Sequence, residues 1–306
     1  MTSIIPSGSL VWGLQLPVQS QSTVYCQEWE PDAGPDELAR VAKAADAAGA
    51  FYVAVCDHIA IPQPLDQKMS GTWYDTIATL GWLAAKTTST HLMSHVAVLP
   101  YRRPLVTAKA WVTLDRLSGG RAILGVGAGH VEGEFELLGL DFARRGAELD
   151  QAIVEVRDAF QNEVVRGAVV RPRPVRPGGP PIWVGGSSLP AMRRAARLGD
   201  GWLPQGPPKM GMRAALDFIR TERADAGVEE PIDLGTFTEP VHIGEPTWEV
   251  GEYTATGSPD AIAERMSRYK KLGVSHLQVR FPSRSCDELV EQIGRFGTEV
   301  WPQVTA

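Results

Sequence analysis

The chain has 306 residues, 43% of them hydrophobic and 22% charged, with a formal net charge of -6. That balance describes a soluble globular protein, and the acidic surplus leaves no basic footprint for nucleic acid. No apolar run approaches the roughly 18 residues of a membrane span, and the opening MTSIIPSGSLVWGLQLP lacks a basic region before its apolar part, so a cytoplasmic location is expected.

Short apolar runs alternate with amphipathic helical stretches. Leu10–Leu16 is the first strand candidate, followed by a helix that Pro35 opens and that runs from Asp36 to Gly49. Phe51–Cys56 is the second, ending at Asp57 and His58. The connection from Ile59 to Asp75, rich in proline and polar residues, suits a loop over a barrel mouth. Leu92–Leu99 follows, with polar Ser94 and His95 inside it, then a helix from Pro104 to Leu117 that Gly119 and Gly120 close. Ile123–Val126 leads into a polar, glycine-rich exit, GAGHVEGE, where Gly125, Gly127 and Gly129 leave backbone bare for a flat ligand.

The proline-rich, basic stretch from Arg166 to Pro181 reads as an extended connector that could also bind an anion. Ile182–Val184 runs through Gly185, Gly186, Ser187 and Ser188 into a helix start. Gly201–Leu203, Leu234–Ile243 and Ser275–Phe281 complete eight strand candidates, with the stretch from Glu239 to Tyr253 irregular. Strict alternation of eight strands with helices predicts a (β/α)8 TIM barrel, a single domain over 1–306 with insertions at its C-terminal mouth, and a doubly wound open sheet is the alternative topology. Cys26, Cys56 and Cys286 are too widely spaced for a disulfide framework or zinc site and read as reduced thiols.

Three strand ends carry chemistry. Asp57 and His58 present a carboxylate beside an imidazole that can exchange a proton near neutral pH. Ser94 and His95 are polar residues in an apolar strand. The Gly185–Ser188 turn puts backbone amides and hydroxyls at a helix start, an anion site suited to phosphate, with Arg193 and Arg194 one turn further in. On the residues alone, each has a plainer reading: a loop cap, a packed core histidine, an ordinary N-cap. A three-histidine metal site at His58, His95 and His130 would suit a hydrolase, but no HxH or HExxH pairing accompanies it, and no metal is expected.

As a collinear set, VCDH, HVAVLPYRRPLVTAKAWVTLDRLSGGRAILGVGAGHVEGEFELLG, Arg144-Arg145-Gly146 and PPIWVGGSSLPAMRRAARLGDGWLP resemble the luciferase-like monooxygenase superfamily, in its coenzyme F420-dependent oxidoreductase branch. The resemblance runs from Trp12 to Trp202 and resumes from Gly257 to Phe281. It implies a bacterial-luciferase-like barrel whose mouth holds a deazaflavin, with hydride transfer to or from a small organic substrate. The implied catalytic residues are His58, its partner Asp57, and His130. The implied cofactor site comprises Asp57, Ser94, His95, Val96, Gly127, Ala128, Gly129, Gly185, Gly186, Ser187 and Ser188, with a non-proline cis peptide at His95-Val96. Where sugar-phosphate dehydrogenases of this family carry an acidic residue after GxG, this chain has His130, which makes glucose 6-phosphate a poor substrate. An FMN-dependent monooxygenase served by a separate reductase is the alternative within the fold. A flavin-binding protein without turnover is a further one. Family resemblance also implies a homodimer, for which the apolar helix face from Ala39 to Ala50 could serve.

Overall fold

The computed structural model describes residues 3–305. Eight parallel strands form the barrel: β1 (Val11–Gln15), β2 (Tyr52–Val55), β3 (His91–Ser94), β4 (Ala122–Gly127), β5 (Ile182–Gly185), β6 (Gly201–Leu203), β7 (Asp233–Phe237) and β8 (His276–Gln278). Each pairs with the next, and β8 pairs with β1 in the register Val11↔His276, so the sheet closes. The expected barrel is therefore the observed fold.

A helix follows each strand: α1 (Pro35–Ala47), α2 (Thr76–Ala84), α3 (Pro104–Ser118), α4 (Arg145–Gln161), α5 (Leu189–Leu198), α6 (Met212–Asp225), α7 (Pro259–Lys270) and α8 (Cys286–Arg295). The chain's own chemistry sets their ends. Asp75 caps α2 by accepting from Ala78 N, proline opens α3, and Gly119 ends it in the left-handed region at φ 70°. The apolar face of α1, with Leu38, Val41, Ala42 and Ala45 buried, packs into the layer between barrel and helices, so it is spent within the chain and not left for a second copy.

Large rings fill the barrel centre, and their register partners are glycines. Tyr52, Trp183 and His276 are fully buried, and they pair across the sheet with Gly13, Gly201 and Gly235 respectively. A Cβ at those glycines would lie 2.6 Å from the Tyr52 ring, 2.4 Å from Trp183 and 2.1 Å from His276. His276 stacks on Trp183 with centroids 4.2 Å apart. The N-terminal segment joins this inner core through Ile5 and is held by Asp233, which accepts from Ser3 Oγ at 2.6 Å and Ile4 N at 2.9 Å.

Three segments differ from expectation. The run from Leu92 to Leu99 is not one strand: it breaks at His95-Val96, where the cis bond implied by the family resemblance is present, and resumes as Ala97–Val98 alongside β4. The run from Leu234 to Ile243 is also two strands, because Val241–Ile243 leaves the barrel to pair with Ala255–Gly257. The proline-rich connector begins with a small hairpin, Val164–Val165 with Ala168–Val169. Three of its arginines are engaged internally: Arg173 donates to the Ala159 and Asn162 carbonyls around the end of α4, Arg171 pairs with Glu163 and Arg166 with Glu155.

Candidate active site

At the C-terminal mouth, His58 Nδ1 lies 2.7 Å from Glu134 Oε2. Glu134 sits on a short helix, Glu132–Leu137, after β4, and it is 1% exposed. Its carboxylate also accepts from Ile59 N at 2.8 Å, Ala60 N at 3.2 Å and the Tyr101 hydroxyl at 3.0 Å. Burial alone would raise its pKa, but the His58 bond and the two amides hold it below the ordinary carboxylate range. An ionised carboxylate can only accept, so the proton sits on His58 Nδ1 and leaves Nε2 to exchange protons.

The rest of the histidine's surroundings are aromatic. Trp73, from the loop between β2 and α2, lies 4.3 Å from the His58 ring centroid, and His130 approaches edge-on at 5.5 Å. Surrounding protein, then the neighbouring His58, lowers the pKa of His130 from the ordinary imidazole value, and Glu134 opposes the shift. The loop is seated where Pro62 meets Gly133, at which a Cβ would come within 2.5 Å of the proline ring.

Asp57 does not partner His58. It is 3% exposed and takes a forked pair from Arg102, at 2.5 and 2.7 Å, together with Val98 N at 2.8 Å. Successive side chains at a strand end point to opposite faces, so an Asp-His dipeptide divides its duties. Asp57 fixes the backbone just beyond the cis bond, while His58 faces the cleft.

The glycines of the β4 exit are filled by the chain itself and do not leave a bare surface. A Cβ on Gly125 would lie 1.8 Å from the Ser94 carbonyl, and one on Gly127 would lie 2.4 Å from Val96 Cγ2. Val96 Cγ1 occupies the corresponding space at Gly185, 2.3 Å away. These glycines therefore accept the bulge of the broken third strand, which Ser94 Oγ ties to the Gly125 carbonyl at 2.7 Å. Gly129, at φ 80°, packs against Phe135 and Val98. Ala128 is partly exposed between these two glycines. His95 is buried, with Nδ1 3.4 Å from Gln278 Nε2, and burial pulls its pKa down to about 4. His95 thus stands apart from His58 and His130, and among the described residues no group of three or more metal-ligating side chains is arranged for an ion.

Across the mouth, Ser188 caps α5 by accepting from Ala191 N, and Ser187 Oγ donates to the Gly206 carbonyl at 2.5 Å. Gly186, at φ 104°, makes the turn between β5 and α5. Arg194 is engaged with Asp150 and the Gly146 carbonyl, and Arg193 with Glu222. The turn therefore offers hydroxyl and backbone donors without a free arginine. Sequence reasoning missed Glu134 and Trp73 as partners of His58, and Tyr101 as a donor to Glu134. Glu134 and Trp73 had a faint signal, one four residues beyond His130 and the other the only tryptophan in the mouth loop.

An eight-stranded parallel barrel with an acid-braced histidine at its C-terminal mouth has the layout on which barrel enzymes build their sites. Residues 13–254 match the luciferase-like monooxygenase family, and the chain belongs to it. It is 32% identical over 215 residues to an uncharacterised protein of Mycobacterium tuberculosis, covering 63% of this chain and 74% of that one. It is 27% identical over 333 residues to an F420-dependent glucose-6-phosphate dehydrogenase of Nakamurella multipartita, covering 89% and 94%. The fold also matches the crystal structure of monooxygenase RslO1 from Streptomyces bottropensis with a TM-score of 0.77 at 18% identity, over 95% and 99% of the two chains. Oxidoreductase chemistry on a luciferase-like barrel is thus the chain's general class, and no helix among the described residues is long and apolar enough to cross a membrane.

Proposed function

We propose that this protein is a deazaflavin-dependent oxidoreductase that moves a hydride between coenzyme F420 and a small organic substrate. The observation that carries this reading is the His58–Glu134 pair, a cleft imidazole whose tautomer is fixed by a saturated, buried carboxylate. Similarity over 89% of the chain to an enzyme named for F420 supports the choice of cofactor.

The residues fit a ligand with a flat ring and a phosphate tail. Ser94, His95 and Val96, with Gly127, Ala128 and Gly129 beside them, form the bulged wall for the ring. Gly185, Gly186, Ser187 and Ser188 meet the tail at the start of α5, where the Leu189 amide lacks an intrahelical partner, Pro190 has no N–H and Ala191 N donates to Ser188 Oγ. Asp57 serves this site indirectly by anchoring the bulge through Val98 N. When bound, the deazaflavin supplies the carbon that gives or takes the hydride.

The protein supplies the proton path. In alcohol oxidation, His58 Nε2 takes the hydroxyl proton, and Glu134 stabilises the imidazolium that forms. In carbonyl reduction, the same nitrogen returns the proton to the developing alkoxide. Trp73 covers the imidazole and restricts competing water. His130, at the rim beside His58, donates or accepts a hydrogen bond to the substrate.

Equilibrium titration with F420 and with FMN tests this reading. Sub-millimolar F420 binding is expected, and FMN binding without F420 binding would instead assign the protein to flavin-dependent oxygenation.

A further inference from the structure

A cleft of about 400 Å3 opens on the β1–β8 side of the barrel mouth. Its walls include Gln15, Tyr25, Trp248, Arg280 and Phe281. Arg280 lies two residues beyond the end of β8, and its guanidinium packs over the Tyr25 ring, 3.6 Å from the centroid. Among the described residues no carboxylate lies within hydrogen-bonding or ion-pair distance of it. Glu30 lines the same cleft, but its two oxygens are taken by Val18 N and Gln27 N, each at 2.8 Å.

The cleft adjoins the His58 site through two of its walls. Gln15 Nε2 donates to Cys56 Sγ at 3.0 Å, one residue before Asp57. Ser20, also on the cleft, bridges to Trp73, the residue that covers His58. The positive charge of Arg280 is felt by its neighbours as well: burial raises the pKa of Cys56 and of Glu30 and Arg280 opposes both shifts, while at His95 it adds to the lowering that burial causes.

A half-buried guanidinium with an aromatic support and no carboxylate hydrogen-bonded to it is an incomplete arrangement, although Glu30 feels its charge from the same cleft. Its planar fork of N–H donors matches a carboxylate or phosphate in two parallel hydrogen bonds. Tyr25, Trp248 and Phe281 give the cleft an aromatic part, beside polar walls that include Gln15 and the exposed Glu249, whose carboxylate accepts from Gly251 N at 3.1 Å. We propose that Arg280 anchors an anionic group on the substrate, whose apolar body occupies this cleft. Calling the occupant a substrate rests on the oxidoreductase reading above; the anion site itself does not. A phosphate tail of the cofactor has the same chemistry, but the Gly185–Ser188 turn follows β5, and β6 and β7 stand between it and β8.

The probes are 2-naphthoate and the neutral 2-naphthamide, titrated calorimetrically into wild-type protein, Arg280→Gln and Arg280→Lys, alongside F420 and FMN. Naphthoate should bind the wild type and lose about tenfold or more in affinity with Arg280→Gln, because a charged hydrogen-bonded pair is removed. Arg280→Lys, which keeps charge and loses the fork, should fall between the two and serves if the glutamine variant does not fold. Naphthamide and cofactor affinities should be the same in all three proteins. Equal naphthoate binding in wild type and variants, or no binding at all, would overturn the proposal. So would a loss confined to cofactor affinity, which would give Arg280 to the cofactor. If neither cofactor binds the wild type while the naphthoate difference persists, the oxidoreductase reading fails and the anion site stands.

Discussion

His58 Nδ1 and Glu134 Oε2 lie 2.7 Å apart although 76 residues separate them in the chain. This contact decides which nitrogen of the imidazole is available to a substrate. Glutamine at 134 would present an amide to donors that now share a carboxylate, and it would favour the wrong tautomer. Glu134→Gln should lower kcat by about 10- to 100-fold, the usual range for an orienting partner, with folding retained. Glu132→Gln, on the exposed side of the same short helix, should leave kcat within about twofold. Steady-state kinetics with any accepted substrate checks the pair, and equal rates for both variants would remove Glu134 from the proton path.

Asp57 has a supporting role, and its loss should appear first in stability. Asp57→Asn leaves Arg102 without its forked acceptor and weakens the hold on Val98 N. Breaking a buried pair from one side costs about 3 kcal/mol. Urea unfolding should show that loss, and a midpoint unchanged from wild type would contradict the assigned contacts.

The barrel was legible in the sequence because its strands are apolar, short and regularly punctuated by helices with ordinary caps. The break at His95-Val96 was not legible as a pattern, since HVAVL reads as one continuous apolar strand; it was expected only from family resemblance. Asp57 misled through adjacency, because neighbouring residues at a strand end diverge. Glu134 was hidden among Glu132 and Glu136. Which of three alternating carboxylates turns inward depends on His58 and Tyr101, and no local spacing encodes those contacts. The glycines after β4 were correctly read as places where a Cβ would not fit, but Val96 and Ser94 take the space that had been assigned to a ligand.

That packing gives a double-mutant test. Gly127→Ala drives a methyl into Val96 and should cost about 1–3 kcal/mol, as overpacking does. Adding Val96→Ala should recover part of that loss, a coupling visible in a thermodynamic cycle. Gly125→Ala meets the Ser94 carbonyl, which is backbone, so Val96→Ala should not rescue it. Purely additive losses at Gly127 and Val96 would rule out their contact.

The buried imidazoles make stability depend on acid. Burial pulls His276 down to about 3 from an ordinary 6.5. Between those values the unfolded chain binds the extra proton, so stabilisation present above pH 6.5 is lost as the pH falls towards 3. The slope is about 1 kcal/mol per pH unit for this one group. His276→Phe keeps a ring against Trp183 and should flatten the fall in unfolding free energy between pH 6 and pH 4 by about that slope. An identical pH profile for variant and wild type would contradict it.

The central claim is most directly tested by anaerobic transfer of deuterium between a labelled secondary alcohol and F420, measured for wild type and His58→Ala. Label should enter the deazaflavin without any need for oxygen, at a rate about 100-fold or more lower in the variant. Turnover that requires reduced FMN and oxygen, or F420 turnover that His58→Ala leaves unchanged, would contradict it.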